Sequence, residues 1–242
     1  MSTSLKFSII TVTRNNRSGL IDTLESVRKQ SVQNYELVII DGNSTDGSKE
    51  AAGAYGNLVS LFERDEGQGI YPAMNQGVRR ASGDWVIFMN SGDIFINERA
   101  LELFDASGDC DIAFGRARKT DGSPHLDFTG WDNIWKNMPF CHQSIFCRRE
   151  LLLERPFNPK YNIVADYEFI LWAYSNGRTF HEMDYEVSQV EPGGVSETAL
   201  LRRVWQTYCA VKRYFPQMHV HRFYYKKLKW AWKQQRLTRC KS

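Results

Sequence analysis

The last 42 residues of this 242-residue chain contain no aspartate or glutamate. The same stretch, 201–242, holds twelve Lys or Arg, so residues 1–200 carry nineteen basic against 28 acidic side chains, a net of −9. The overall charge of +3 therefore conceals an acidic body with a basic tail, and the two parts are expected to have different partners. Cysteine is sparse. Cys110, Cys141, Cys147, Cys209 and Cys240 form no C-x-x-C pair and no Cys/His ligand spacing, which argues against a disulfide framework or a zinc site and fits a reducing compartment. No run of about 18 apolar residues occurs, so a membrane-spanning helix is not expected. Residues 1–6 lack the basic start and long apolar stretch of a secretion signal. The expectation is a cytoplasmic protein, peripheral on the inner face of the cytoplasmic membrane. Repeats, low-complexity segments and long linkers are also absent, and 42% hydrophobic with 24% charged residues is ordinary globular composition.

What is present alternates. Phe7-Ser8-Ile9-Ile10-Thr11-Val12 is a β-rich run, followed by Leu20, Ile21, Leu24 and Val27 at helical spacing with Ser18 as a candidate N-cap. Leu37-Val38-Ile39-Ile40 is continuously apolar, as a strand buried on both faces should be. Residues 58–62 read as a third strand, 74–81 as a helix and 85–89 as a fourth strand. Strand–helix alternation implies a mostly parallel sheet flanked by helices, an α/β fold. Beyond residue 100 the pattern is mixed: strands at 112–117 and 144–147, a helix at 166–175, an extended run at 180–190. After Pro192-Gly193-Gly194 the chain reads as helix, interrupted near Pro216. The economical division is one α/β domain over 1–196, in two halves (1–95 and 96–196), and a basic, aromatic helical tail over 197–242.

In open parallel sheets ligands bind beyond the carboxyl ends of the strands. Two of those ends carry an acid beside glycine, Asp41-Gly42 and Ser91-Gly92-Asp93. Either aspartate alone suits an Asx-type turn; the two together point to a site. A dinucleotide site needs a glycine-rich turn after the first strand, yet Thr13-Arg14-Asn15-Asn16-Arg17 stands there, and a P-loop is missing as well.

Three segments then carry a resemblance. Phe7 through Asn15, Val38-Ile39-Ile40-Asp41-Gly42-Asn43-Ser44-Thr45-Asp46-Gly47-Ser48 and Phe88-Met89-Asn90-Ser91-Gly92-Asp93 resemble family 2 glycosyltransferases of GT-A-type fold. Asp65-Glu66-Gly67 with Gly69-Ile70-Tyr71-Pro72-Ala73-Met74-Asn75-Gln76-Gly77 is similar to a bacterial branch that builds colanic acid, O-antigen and other surface polysaccharides. The resemblance covers about residues 6–196. It implies an inverting transfer from a nucleotide-diphosphate sugar, a UDP-sugar by preference, to a hydroxyl of a lipid-linked glycan. By the same resemblance Thr11, Thr13, Asp41, Arg64, Asn75, Asn90, Ser91 and Asp93 bind the nucleotide sugar. Asp93 is the surviving carboxylate of a D-x-D motif for Mn²⁺ or Mg²⁺, and Asp166 in Ala165-Asp166-Tyr167-Glu168 is the catalytic base. Where many relatives have two or three aspartates this chain has Asn90-Ser91-Gly92-Asp93, so the diphosphate must supply more of any metal's ligands. Asp166 also suits a helix cap. His142 and Gln143, with Gly193 and Gly194 in a candidate closing loop, are expected on the acceptor or diphosphate side; a structural role for His142 stays open.

On a helical wheel from residue 223 to 237, Lys226, Lys229, Lys233 and Arg236 share one face, with Tyr224, Leu228, Ala231 and Trp232 roughly opposite. A basic face beside an aromatic one describes a helix lying on an anionic membrane, and residues 202–241 are the expected contact. The alternative is a helix packed on the domain. Nucleic acid is not expected, since no recognised binding module accompanies the charge. Two other functions share parts of this pattern: a nucleotidyltransferase, which needs a glycine- and lysine-rich loop better than Asn15-Asn16-Arg17-Ser18-Gly19, and a non-catalytic carbohydrate- or membrane-binding protein.

Overall fold

A computed structural model describes residues 7–65, 69–104, 110–126, 128–191, 199–217 and 220–239, without the side chains of 235–239. The strands are β1 (Phe7–Thr13), β2 (Tyr35–Asp41), β3 (Leu61–Arg64), β4 (Trp85–Phe88), β5 (Ile94–Phe95), β6 (Ile112–Lys119), β7 (Ile145–Arg148) and β8 (Phe180–Val190). They form a single sheet in the order β3-β2-β1-β4-β7-β6-β8-β5. The helices are α1 (Arg17–Arg28), α2 (Ser48–Gly53), α3 (Ile70–Arg80), α4 (Arg149–Glu154), α5 (Ala165–Ser175), and two in the tail, α6 (Leu200–Tyr214) and α7 (His221–Arg239).

The first four strands are all parallel, and a helix lies in each of the three connections between them. The second half departs from the expected mostly parallel pattern. Here β7 runs antiparallel to both β4 and β6, and β5 antiparallel to β8, while β6 and β8 are parallel. The apolar strands bury both faces. Ile10, Val38, Ile40, Val86 and Phe88 point into one core, and Phe7, Ile9, Leu37, Ile39, Trp85 and Ile87 into the other. This is why β1, β2 and β4 read as unbroken apolar runs.

Several element boundaries differ from the sequence pattern for local reasons. Asn16, two residues before Ser18, caps α1, its Oδ1 accepting the Gly19 N–H at 3.2 Å. Helix α3 starts four residues early, at Ile70, since Pro72 falls in its first turn, where no N–H is required. Residues 56–58 form a 3₁₀ turn, which moves the third strand to 61–64. Asp46 serves two helix starts: its Oδ2 accepts the Arg17 N–H and its Oδ1 the Ser48 N–H.

The tail docks on the domain. Val204, Ala210, Val211, Tyr224 and Ala231 belong to the same core as Ile10 and Phe88. Tyr224 donates its hydroxyl to the Trp135 carbonyl at 2.6 Å, and Lys227 donates to the Lys136 carbonyl at 3.0 Å. Of the aromatic face drawn on the wheel, Tyr224 and Ala231 are therefore buried, but Trp232 is 54% exposed. Among the described residues no helix is long and apolar enough to cross a membrane. Tyr224→Ala is expected to cost about 3 kcal/mol or more of unfolding free energy, and Trp232→Ala less than about 0.5 kcal/mol. Urea titration of both variants checks this, and equal losses would refute the docked orientation of α7.

Candidate active site

The register of the parallel strands brings the first group together. Thr13 lies opposite Asp41, and Asp41 opposite Arg64, so three strand ends meet at one edge. Thr11 and Thr13, two apart, share a face of β1. The hydroxyls of Thr11 and Thr13, Asp41 Oδ1, Asp65 Oδ1 and Asn90 Oδ1 are all buried and hydrogen-bond to nothing in the protein. Buried polar atoms nearly always find partners, so this concentration at one end of the sheet marks a surface built for polar contacts from outside the chain. Asp41 answers both readings of its role. Its Oδ2 accepts the Ser44 N–H at 2.9 Å, as a turn former would, while Oδ1 remains open. Asp65 was not singled out as a contact. It follows β3 directly, one position beyond the Arg64 that pairs with Asp41, and an acid just past a strand end is the signal for it. The Arg64 side chain is exposed at the rim.

The turn after β4 is clamped by α1. Ser91 donates its hydroxyl to the Asn16 carbonyl at 2.9 Å, and Thr23 donates to the Asp93 carbonyl at 2.8 Å. This leaves Asp93 facing inward, only 6% exposed. Its Oδ2 accepts from Gln143 Nε2 at 2.8 Å and its Oδ1 from the Glu191 N–H at 3.2 Å. Burial holds its carboxyl above the ordinary range, opposed by Gln143 and by the neighbouring His142. Gly92 beside it has φ +103°, and a Cβ there would lie 2.1 Å from Glu191 Oε2. The backbone conformation strains any residue with a Cβ at this position, whereas the Glu191 carboxylate is the movable end of a flexible side chain.

Across the cleft, Asp166 stands in the first turn of α5. Its Oδ1 accepts from the Tyr71 hydroxyl and from the Tyr167 N–H, each at 2.8 Å, and its Oδ2 lies 3.3 Å from His142 Nδ1. Only the Tyr167 contact is of helix-end type; the N-cap position is Val164, which makes no side-chain bond. Burial by itself raises the Asp166 carboxyl, but the hydrogen bond and charge of His142, with Tyr71, outweigh it and hold the group below its ordinary value. His142 shows the converse: burial disfavours its cation, yet the Asp166 carboxylate, helped by Asp93, holds it above the usual histidine value. The other ring nitrogen, Nε2, is 3.4 Å from Asn90 Nδ2. Cys141 Sγ donates to Gln143 Oε1 at 2.8 Å, which orients that amide with Nε2 toward Asp93. His142 and Gln143 thus join the two acids from neighbouring positions in the chain.

Of the expected contacts, Asn75 and the two loop glycines remain. Asn75 bonds Phe157 with both ends of its amide, Nδ2 donating to the carbonyl at 2.8 Å and Oδ1 accepting the N–H at 2.9 Å, and so clamps the chain after α4 to α3. Gly193 and Gly194 lie outside the described residues. Trp131 packs among Phe114, Phe128, Tyr174 and Phe180, and Trp135 against Phe223, so both are spent on packing.

Comparison with known proteins identifies the family. The sequence profile of Glycosyl transferase family 2 matches residues 8–162. The chain belongs to that family. A PGL/p-HBAD biosynthesis glycosyltransferase of Mycobacterium tuberculosis is 32% identical over 206 residues, 79% of each chain. Among solved structures, TarS 1–349 of S. aureus in complex with UDP superposes with a TM-score of 0.66 at 21% identity, over 83% of this chain and 65% of that one. Glucosyl-3-phosphoglycerate synthase of M. tuberculosis, solved with Mn²⁺, UDP and glucosyl-3-phosphoglycerate, gives 0.64 at 15% identity, over 86% and 79%. At such identities the structures establish the GT-A fold, and the family match makes this family 2 member a glycosyltransferase.

The His142–Asp166 pair gives the fold a pH signature. Asp166, lowered on folding, contributes stability above about pH 4 that is lost as pH falls through its depressed value. His142, raised on folding, contributes below about pH 6.5, and this is lost as pH rises through its elevated value. His142→Gln is therefore expected to lower Tm most between about pH 4 and 6.5, with the deficit narrowing at higher pH. A deficit that stays constant across this range into alkaline solution would show that the contact is not ionic.

Proposed function

We propose that this glycosyltransferase moves a sugar, with inversion, from a UDP-sugar to a hydroxyl of a growing, lipid-linked bacterial surface glycan. The observation that carries the reading is the single dipeptide, His142-Gln143, binding a candidate diphosphate-side acid, Asp93, and a candidate base, Asp166, across one cleft. The unpartnered Thr11, Thr13, Asp41 and Asn90 atoms would hold base and ribose, with Arg64 and Ser91 at the rim. Asp41 Oδ1 is an acceptor of the kind the N3–H of uracil needs. TarS and glucosyl-3-phosphoglycerate synthase were each solved with UDP, which favours the same nucleotide here.

Among the described residues no three His, Cys, Asp or Glu side chains converge as a ready-made metal cage. The residues nevertheless suit a divalent cation shared with a diphosphate. Asp93 is a buried carboxylate whose charge is under-compensated, and each of its oxygens retains a lone pair beyond the bonds to Gln143 and Glu191. A bound Mn²⁺ or Mg²⁺ would offset the charge gathering on the departing diphosphate. The transfer itself is one displacement. The acceptor oxygen bonds to the anomeric carbon, the bond from that carbon to the diphosphate breaks with its electron pair leaving on UDP, and the acceptor proton passes to Asp166. Oδ2 is the oxygen suited to receive it, since its bond to His142 is the longest that Asp166 makes. His142 and Tyr71 keep the carboxylate ionised before the acceptor arrives.

The tail supplies the second part of the reading. Trp205, Tyr225, Trp230 and Trp232 are each at least 50% exposed, and no other large apolar side chain among the described residues reaches that level. On α7, Tyr225, Trp230 and Trp232 flank exposed Arg222, Lys226, Lys229 and Lys233, with Lys229 over the Tyr225 ring at 4.5 Å. Aromatic edges around a cationic strip suit the headgroup layer of an anionic membrane, where a lipid-linked acceptor would be met, at the inner face of the cytoplasmic membrane.

Calorimetric titration with UDP and Mn²⁺ tests the donor site, and absence of binding would remove it. Asp166→Asn is expected to lower kcat by about 10²–10⁴-fold with UDP affinity preserved, while Asp93→Asn weakens the Mn²⁺-dependent part of binding. Full transfer by Asp166→Asn would sink the assignment of the base. For the tail, sedimentation with phosphatidylglycerol vesicles is expected to carry the protein down in low salt. Phosphatidylcholine vesicles should not, and Trp205→Ala/Trp232→Ala should reduce capture; equal capture by both lipids would sink the electrostatic reading.

A further inference from the structure

Helix α5 begins without a cap of its own. Val164 occupies the N-cap position with φ −136° and makes no side-chain bond, and Asp166 follows two residues later. The turn that delivers Asp166 is instead gripped from the tail. Gln206, on α6 and only 8% exposed, accepts the Ile163 N–H through Oε1 at 3.1 Å and donates through Nε2 to Asn162 Oδ1 at 2.8 Å. Ile163 in turn offers its carbonyl to the Tyr71 hydroxyl at 3.0 Å, the same hydroxyl that reaches Asp166 Oδ1. A second grip lies just beyond the base. Glu168, wholly buried, receives the Tyr214 hydroxyl from the end of α6 and Arg155 Nη2 at 2.8 Å. The tail helix therefore holds α5 on both sides of Asp166, across contacts 43 and 46 residues apart in sequence.

We propose that Gln206 is a positioning residue for the transfer: through the 162–163 turn it sets Asp166 against Tyr71 and His142, so the docked tail is part of the catalytic apparatus. This rests on Asp166 being the base. A glutamine is suited to the task because its amide satisfies one donor and one acceptor of the turn at once. A residue with neither group would leave the buried Ile163 N–H without a partner and let the turn relax. Small displacements of a base are costly to rate, since proton transfer needs hydrogen-bond geometry.

The test is Gln206→Leu beside Gln206→Glu, in the full chain. Gln206→Leu is expected to lower kcat by about 10–100-fold, with UDP affinity and donor KM changed less than about twofold. The acidic limb of its kcat–pH profile moves to higher pH, because Asp166 loses the contacts that keep it ionised. Gln206→Glu recovers most of the rate, since its carboxylate accepts the Ile163 N–H and the Asn162 amide can turn to donate. Independently of turnover, NMR titration of His142 in Gln206→Leu shows a lower pKa as the Asp166 carboxylate draws away. An unchanged kcat, a parallel loss of kcat and UDP affinity, or a Gln206→Glu variant as poor as Gln206→Leu overturns the proposal. Should the wild type transfer no sugar, the His142 titration decides alone. A shift leaves the brace standing while the reaction falls, and no shift removes the brace.

Discussion

Everything at the cleft depends on two consecutive side chains pointing at two different acids. His142 meets Asp166 and Gln143 meets Asp93, so the separation of the two carboxylates is set by one stretch of backbone entering β7. That stretch can be rigid because β7 is antiparallel to both its neighbours and sits at the centre of the sheet. Reversal of direction at β7 is what makes this possible. A fifth parallel strand would enter the sheet from the opposite end and carry its preceding residues away from the ends of β1, β2 and β4. The antiparallel strand brings 142 and 143 to the end where those three strands finish.

The acids divided by this arrangement are electrostatically distinct. Asp93 is raised by burial and only partly compensated, which suits a group that gains from a cation. Asp166 is half-buried, and an imidazole and a phenol bring it below its ordinary value against the effect of burial, which suits a group that must be ionised when an acceptor arrives. A lowered carboxylate is a weaker base, so proton transfer is favourable only once the acceptor oxygen has begun to bond to the sugar carbon. One histidine serves both sides, lowering Asp166 directly and moderating Asp93 through its charge.

How much of this was legible in the sequence depends on how far apart the partners are. Asp41 could be placed from the chain alone because the strand, its end and the acid are contiguous, and the register of β1 with β2 then follows from parallel pairing. The orientation of Gln143, the carbonyl of Ile163 and the brace from Gln206 connect segments 40 to 90 residues apart, and no local pattern encodes them. Asn75 shows the opposite hazard. Its motif is intact, yet its amide also bonds Phe157, 82 residues on, a structural role that no local pattern announces. Gly92 was legible as a missing acid but not as a position of φ +103°, since the bonds that fix its turn come from Asn16 and Thr23, beside and in α1.

Of the two alternatives posed by its wheel, the tail shows the one packed on the domain, and leaves its other side exposed. A helix has circumference enough for two partners, and α7 divides its own: Tyr224 and Ala231 against the domain, Trp232, Tyr225 and the lysines outward. Docking on the inner side fixes α6, and α6 holds both flanks of the helix that carries Asp166. Forces on the outer side of the tail therefore act on the same packed unit as Asp166, because α6 and the Asp166 turn are joined through buried hydrogen bonds and a common core.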